Sequence, residues 1–309
     1  MKYIYFGSAK FSSTVLEALC RAKILPILVV TQPDRPKGRH LVMTPTLVGK
    51  YARENNLPIL KPDSLKTAGL VDKIKSLQPD FLVAADYGKI LPQSLLDCAA
   101  IMPLAVHPSL LPIYRGASPI NQALLNGDRQ TGVTLFKMAQ TMDSGPIVAQ
   151  KKYDILEADD VISLSDKLAG LGAQLLIDVL QGGRINLQAQ DERKVTFTAK
   201  LKKEDGLINW EKSAVDIQNL IRAVCSWPVA YTFYNGKRVQ VLGAKSANSE
   251  FYLEGGVIRD IKEDGVYVTT RCGLLCLKTV KPEGKPAMEA LAFAHGHGLK
   301  AGDKFSNHG

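Results

Sequence analysis

Short apolar runs alternate with amphipathic stretches through the first half of the chain. The apolar runs are YIYFG, PILVVT, PIL, FLVAAD and LAVH, and the stretches with apolar residues at helical spacing are STVLEALCRA, LVGKYAREN, GLVDKIKSL and QSLLDC. This alternation is typical of β-α-β units, in which helices cover a parallel sheet. Because ligands bind beyond the carboxyl ends of the strands in such sheets, we expect the segments after YIYFG, FLVAAD and LAVH to converge.

The pattern changes after the helical stretch VISLSDKLAGLGAQLLIDVL. The next segment, INLQAQDERKVTFTAKLKKEDG, is polar, basic and weakly periodic, and it is predicted to be a linker. Beyond it, a helical stretch over 215–224 precedes the strand-like runs AYTFY, VQVLGA, GVIRDI, GVYVTT and LLCLKTV, which turn signals separate. Closing these strands into a small antiparallel barrel removes exposed strand edges. We therefore predict domains over 1–187 and 206–309, joined by a basic linker over 188–205.

The net charge of +9 is concentrated in two short stretches. Residues 31–53 have a balance of +4, and residues 193–203 have a balance of +5 with no acidic residue among them. Clustered lysines and arginines gain affinity for a polyanion by displacing counterions from its phosphates, so this distribution favours a nucleic-acid partner. On charge alone, a basic surface without a partner is the alternative.

Composition and motifs exclude several classes of protein. The chain has 309 residues, of which 46% are hydrophobic, and its first apolar run ends at Phe6. That run is too short for a signal peptide, and no other run approaches the roughly 20 apolar residues of a membrane span, so we expect a cytoplasmic protein. Five cysteines without C-x-x-C spacing are expected to be buried thiols. The absence of G-x-S-x-G, P-loop and G-x-G-x-x-G motifs argues against a serine hydrolase, an NTPase and a dinucleotide enzyme.

His107 is a candidate for chemistry because of its place in the pattern. It ends the run LAVH, and Asp143 follows another apolar run, GVTLFKM, in the turn TMDSGP. A nearby carboxylate orients an imidazole ring, and such a pair can polarise a carbonyl group or relay a proton. A buried core histidine is the alternative. No metal site is expected, because no second histidine or cysteine stands at ligand spacing.

Six motifs of the first half appear in a recognisable order: FGSAKFSSTVLEAL, TQPDRPKGR, DYGKILP, VHPSLLPIYRGASPI, GDRQTGVT and MDSGPI. With AKLKKEDGLINW and IRAVCSWPVAYTFYNGKRVQV further on, the chain resembles the methionyl-tRNA formyltransferases over essentially its whole length. SLLP and the D-x-G turn are common to all transferases that use 10-formyltetrahydrofolate. TQPDRPKGR and the tail domain point to the members that act on tRNA.

The resemblance implies a fold and a reaction. The fold is an α/β, Rossmann-like, doubly wound formyltransferase domain followed by a small OB-like β-barrel domain. The reaction moves a formyl group from 10-formyltetrahydrofolate, the co-substrate, to the α-amine of methionyl initiator tRNA. It implies no metal and no membrane, and we expect a monomer. In this reading His107 donates a hydrogen bond to the developing oxyanion, and Asp143 orients it and accepts the proton of the amine, through water.

The resemblance also assigns binding residues. For the folate these are Tyr87, Gly88, Ile90, Leu91, Ser109 and Pro112. For the tRNA they are Arg35, Lys37, Arg39, Lys200, Lys202 and Lys203, with the loop over 31–53 entering the acceptor stem and the linker following phosphates.

Ala105 departs from the family, which has a catalytic asparagine two places before the histidine. The chain reads Ala105-Val106-His107, and alanine offers neither donor nor acceptor. Three interpretations stay open: lost activity through a natural or introduced substitution, an active variant in which another group or water acts, and a changed function. The rival functions are formyl transfer to another substrate such as a sugar amine, hydrolysis of 10-formyltetrahydrofolate, and non-catalytic binding of folate or tRNA.

Overall fold

The structure, a computed structural model, describes residues 1–38, 41–247 and 254–308 and divides into two compact units. The first unit consists of Met1–Pro119, Gln130–Ile155 and Ser165–Thr198. The second consists of Ile120–Arg129, Leu156–Leu164 and Ala199–Gly309. Two segments that precede residue 165 therefore pack with the carboxyl-terminal part.

The elements follow one another in chain order. Up to residue 198 they are β1 (Tyr3–Gly7), α1 (Lys10–Arg21), β2 (Leu28–Val30), β3 (Arg35–Lys37), β4 (Val42–Thr44), α2 (Leu47–Glu54), β5 (Ile59–Leu60), α3 (Ala68–Ser76), β6 (Phe81–Ala85), α4 (Gln93–Leu96), β7 (Met102–His107), β8 (Arg115–Gly116), α5 (Pro119–Leu125), β9 (Gln130–Lys137), β10 (Ile147–Asp154), α6 (Val161–Leu180), a 3-10 helix (Glu192–Lys194) and β11 (Phe197–Thr198). Beyond it they are a 3-10 helix (Lys203–Gly206), α7 (Ala214–Ala223), β12 (Tyr231–Tyr234), β13 (Lys237–Ser246), β14 (Ile258–Lys262), β15 (Gly265–Thr269), β16 (Leu274–Pro282), β17 (Met288–Glu289) and α8 (Ala290–His297).

A seven-stranded sheet in the order β10-β9-β7-β6-β1-β2-β5 forms the centre of the first unit. The five strands β1, β2, β5, β6 and β7 are parallel, whereas β9 runs antiparallel beside β7 and β10 runs antiparallel beside β9. Every residue of β1 and β6 is buried, as expected for strands with both faces covered. The predicted α/β class and parallel sheet are thus confirmed, and α6 has the predicted bounds.

Strand register brings the carboxyl ends of three strands together. Gly7 of β1 pairs with Ala85 of β6, and Ala85 pairs with Val106 of β7. The segments that follow these strands therefore begin at the same edge of the sheet. This is the edge where the sequence pattern predicts a site.

The segment over 188–198, part of the predicted linker, is hydrogen-bonded within the first unit. Gln188 and Ile147 exchange both main-chain hydrogen bonds, and β11 pairs in parallel with β8. The hydroxyl of Thr196 also accepts the amide N–H of Tyr114 at 2.8 Å. Hydrogen bonds rather than apolar side chains hold this segment, which is why hydrophobic periodicity does not reveal it.

The second unit contains an antiparallel sheet in the order β12-β13-β16-β15-β14, with β17 beside β16. Residues near the carboxyl terminus pair with both edges of this sheet: Ser306 pairs with Phe233 of β12, and Lys304 pairs with Val257 just before β14. Residues 304–306 thus connect the two edges of the sheet. The indole of Trp210 stacks on Phe305 with ring centroids 5.8 Å apart, which anchors residues 304–306 to the core of this unit.

Among the described residues, no helix has the length and apolar character needed to cross a bilayer.

Candidate active site

The side chains of Ala105 and His107 lie on one face of β7, because alternate residues of a strand point to the same side. His107 is 6% exposed, at the carboxyl end of the strand. Ala105 is half-buried and packs between two apolar clusters. One cluster contains Tyr87 and the other contains Phe136. The two-residue spacing therefore places position 105 on the same side of the sheet as the imidazole.

The His107 ring is anchored through one nitrogen. Its Nε2 lies 2.9 Å from the main-chain carbonyl oxygen of Tyr114, and its Nδ1 lies 3.7 Å from Oδ2 of Asp143. A carbonyl oxygen only accepts, so the hydrogen bond places a proton on Nε2. Nδ1 is then the nitrogen that gains or releases a proton. The structure thus leaves the reactive nitrogen facing a carboxylate.

Asp143 lies in the turn after β9 and is held in an uncommon conformation. Its φ is +54°, in the left-handed region that few residues other than glycine adopt. The amide N–H of Gly116 donates to its Oδ2 at 2.8 Å. At Gly145, two residues further on, a Cβ would lie 1.7 Å from the carbonyl oxygen of Lys137, so only glycine fits. Close backbone packing therefore requires the glycine of the D-S-G turn.

The loop between His107 and β8 is tied down by hydroxyl groups. Ser109 is fully buried and donates to the carbonyl oxygen of Ile113 at 2.6 Å. Thr134 donates to the carbonyl oxygen of Ser109 and accepts the amide N–H of Leu111. Leu111 precedes Pro112 in a cis peptide bond. The Ser109 hydroxyl is thus engaged inside the loop, and Pro112 is half-buried beside it.

The segment after β6 contains the other predicted folate residues. Tyr87 and Leu91 are buried, whereas Ile90 is 67% exposed. Ile90 lines a cavity of about 200 Å³ with six neighbours, Asp63, Ser64, Leu65, Lys66, Lys89 and Pro92. The Tyr87 hydroxyl is buried and has no hydrogen-bond partner among the described residues, and burial raises its pKa to about 12. It therefore stays protonated near neutral pH.

Gln32 contacts the segment of the predicted folate residues, although no sequence motif indicated it. Its Nε2 donates to the carbonyl oxygen of Tyr87 at 2.6 Å. A Cβ at Gly88, where φ is +79°, would lie 2.8 Å from the same nitrogen. Gln32 directly follows the run PILVVT, so the rule that sites lie beyond the carboxyl ends of strands could have identified it.

The predicted tRNA-binding cations are exposed wherever the structure describes their side chains: Arg35, Lys200, Lys202 and Lys203. The backbone of Lys37 lies in β3, but its side chain is not described. Arg39 lies outside the described residues.

Asp191, which directly precedes the 3-10 helix Glu192–Lys194, partly neutralises the positive charge of 193–203. Arg193 contacts Asp191 at 2.9 Å, and Lys194 contacts the same carboxylate at 3.7 Å. Hydrogen bonds from Arg193 hold the pKa of Asp191 below its usual range, so the carboxylate stays ionised near neutral pH. Of the five cations, the lysines over 200–203 are therefore the ones better placed to meet an external anion.

Two findings bear on other chemistry. All five cysteines are free, with Cys276 buried and the others half-buried. In the described part of the chain, no group of three or more histidine, cysteine, aspartate or glutamate side chains is arranged to hold a metal ion.

The arrangement suits proton transfer and stabilisation of a developing negative charge. Nδ1 of His107 and the carboxylate of Asp143 face each other beyond the end of β7, where a substrate carbonyl group would find a donor and an amine would find a proton acceptor. Ala105 adds no polar group on the same face.

Comparison with known proteins gives concordant matches. The family model "Formyl transferase" matches residues 1–180, and "Formyl transferase, C-terminal domain" matches residues 200–298. A methionyl-tRNA formyltransferase of Bacillus licheniformis is 39% identical over 310 residues, which cover 99% of this chain and 98% of the relative.

Two solved structures share the fold. WlaRD, a sugar 3N-formyl transferase crystallised with dTDP and 5-N-formyl-THF, has a TM-score of 0.66 at 18% identity, over 93% of this chain and 99% of that one. HypX from Aquifex aeolicus in complex with tetrahydrofolic acid has a TM-score of 0.62 at 16% identity, over 95% of this chain and 47% of that one. At these identities the two structures support the fold alone, and this chain spans about half the length of HypX.

Proposed function

Because the chain belongs to the formyl transferase family, we propose that it transfers a formyl group from 10-formyltetrahydrofolate to the α-amine of methionyl initiator tRNA. The observation that carries this proposal is the match of 39% identity over 99% of the chain to a methionyl-tRNA formyltransferase, which extends through both domain models. We also propose that the protein acts in the cytoplasm as a monomer.

The chemistry proceeds through a tetrahedral centre. The amine attacks the formyl carbon, a C–N bond forms, and the carbonyl oxygen becomes negative. The carbonyl group then re-forms as the bond to the folate nitrogen breaks, and that nitrogen takes up, through water, the proton that the amine has lost. With Nε2 held by the Tyr114 carbonyl group, Nδ1 of His107 carries the proton that can be donated to this oxygen. The carboxylate of Asp143, 3.7 Å from Nδ1, orients the ring and accepts the proton released by the amine, through water.

The folate is proposed to bind between the segment after β6 and the loop after β7. The residues assigned to it are Tyr87, Gly88, Ile90, Leu91, Ser109 and Pro112. The burial of Tyr87 and the engaged hydroxyl of Ser109 favour main-chain contacts to the pterin over contacts from these side chains.

The tRNA is proposed to contact the exposed cations in two regions. These are Arg35, Lys37 and Arg39 in the loop over 31–53, and Lys200, Lys202 and Lys203 in the linker. Counterion release from tRNA phosphates supplies the affinity, and an extended cationic surface has no purpose for a sugar amine or for hydrolysis of 10-formyltetrahydrofolate.

A second candidate function is non-catalytic binding of folate or tRNA, which Ala105 favours because it leaves the catalytic set without its amide. The deciding experiment measures formylation of charged initiator tRNA with 10-formyltetrahydrofolate, together with tRNA binding by the same sample. Formylation supports the transferase, whereas tight tRNA binding without formylation supports the binder.

Replacing Lys202 and Lys203 together with glutamine is expected to weaken tRNA binding. Each lost phosphate contact should reduce the slope of log affinity against log salt by about one. The measurement is binding of initiator tRNA over a series of salt concentrations. Arg193→Gln is the matched control, because Arg193 is already paired with Asp191 and its loss should change the slope less. An unchanged slope in the double variant contradicts the assignment.

A further inference from the structure

We infer that Gln190 is a positioning residue for the reaction: its side-chain amide clamps the turn that carries Asp143 and so sets the distance between the carboxylate and His107. The part of this inference that concerns catalysis rests on the proposed function. The clamp itself is a property of the structure.

The amide group of Gln190 donates twice into the turn. Its Nε2 lies 2.8 Å from the carbonyl oxygen of Asp143 and 2.7 Å from the carbonyl oxygen of Gly145. Both hydrogens of the NH₂ group are therefore used on the two residues that bracket the turn. The turn is held from outside by a side chain far along the chain.

Arg115 fixes the orientation of this amide. The guanidinium donates to Oε1 of Gln190 from Nε at 3.0 Å and from Nη2 at 2.8 Å, and it also binds the carboxylate of Glu192. Arg115 is 3% exposed and only donates, so the amide oxygen must face it and the NH₂ group must face the turn. Its hydrogen bonds hold the pKa of Glu192 below its usual range, so this anchor stays ionised.

The clamp acts where the backbone needs support. Asp143 has a φ of +54°, which costs free energy for a residue with a Cβ, and such a conformation persists only when its surroundings hold it. Losing two hydrogen bonds to the turn would let the backbone relax and move Oδ2 away from Nδ1 of His107. The catalytic distance of 3.7 Å thus depends on Gln190.

The clamp is separate from the docking of its own segment. Gln188 already joins this segment to Ile147 through two main-chain hydrogen bonds, and β11 joins it to β8. The side chain of Gln188 is exposed. Gln188 therefore offers a matched control, because a change of its side chain leaves these main-chain hydrogen bonds of the segment intact.

The test compares Gln190→Met and Gln190→Glu with Gln188→Met and Gln188→Glu. Methionine removes both the donors and the acceptor, whereas glutamate keeps an acceptor for Arg115, removes the donors and adds a negative charge, which Gln188→Glu controls for. We expect both Gln190 variants to lower kcat about 10- to 100-fold, because a misplacement of about 1 Å is enough for such a loss, with KM for the tRNA nearly unchanged. The Gln188 variants should keep the kcat of the unchanged protein.

A second readout does not depend on activity. In Gln190→Met, which adds no charge, the imidazole NMR signals of His107 should shift because the neighbouring carboxylate has moved, while those of His295 in α8 should not. If the unchanged protein fails to formylate methionyl-tRNA, the proposed function is wrong, and this shift still tests the clamp.

Three results would overturn the inference. One is an unchanged kcat in Gln190→Glu together with a lowered kcat in Gln190→Met. In that case the acceptor for Arg115, and not the two hydrogen bonds to the turn, would set the rate. Another is an equal loss in the Gln188 variants. The third is an unshifted His107 signal in a folded Gln190→Met protein.

Discussion

Ala105→Asn is expected to raise the single-turnover rate of formylation about 10²- to 10³-fold, or roughly 3 to 4 kcal/mol in transition-state stabilisation. The amide would lie on the same face of β7 as His107 and would donate to the oxygen that becomes negative. Binding of both substrates should change much less, because the hydrogen bond strengthens mainly in the transition state. The measurement is a single-turnover assay at saturating 10-formyltetrahydrofolate and charged initiator tRNA.

Ala105→Leu is the control, since the leucine side chain has the same branching and number of heavy atoms as asparagine and no donor. Position 105 is half-buried between two apolar clusters, so the leucine variant should fold and gain no rate. Equal rates for the alanine and asparagine proteins would mean that another group already fills the role or that the function lies elsewhere. A gain in both variants would point to packing rather than to the amide.

His107→Ala is expected to lower the formylation rate by at least about 10²-fold, the usual scale for a group that donates to an oxyanion or transfers a proton. The change removes the imidazole nitrogen that faces Asp143, together with the hydrogen bond to the Tyr114 carbonyl group. Asp143→Asn should give a loss of similar size, since an amide cannot accept the proton of the amine. Both rates are measured in the chain as it stands and with Ala105→Asn.

Stability is measured beside activity to separate the two interpretations of this histidine. His295 is exposed in α8, so His295→Ala should leave both the rate and the unfolding midpoint unchanged. If His107→Ala unfolds before the rate is lost, His107 is a core histidine. In the His107→Ala protein, Ala105→Asn should gain less than in the parent, because both groups serve the same oxygen.

Regular elements could be predicted because their apolar positions repeat. The helix over 161–180 has the predicted bounds, since helical spacing continues over about five and a half turns between polar segments. The strand-end rule pointed to His107, which ends the parallel strand β7, whereas Asp143 follows β9, an antiparallel strand that this rule does not cover. The structure places the two side chains 3.7 Å apart. Local pattern and topology were sufficient for the helix and for His107.

The hydrogen-bonded parts of the site could not be predicted in this way. Gln190 lies in a polar segment without periodicity, and its partners are main-chain oxygens that carry no side-chain signal. The charge of 193–203 shows the same difficulty at short range, because counting within that window leaves out Asp191, which pairs with two of the five cations. Contacts between polar groups depend on three-dimensional placement, which composition does not contain.

The division of the chain into units has a consequence for protein engineering. The backbone passes between the two units five times, because the segments 120–129 and 156–164 belong with the carboxyl-terminal part. Within that unit, Asn121 donates to the carbonyl oxygen of Ala223, and Arg222 reaches the carbonyl oxygen of Asp159. In a chimera joined at residue 198, residues 199–309 of one parent would therefore have to pack against segments 120–129 and 156–164 of the other. Exchange of the carboxyl-terminal part as a module requires both segments to be exchanged with it.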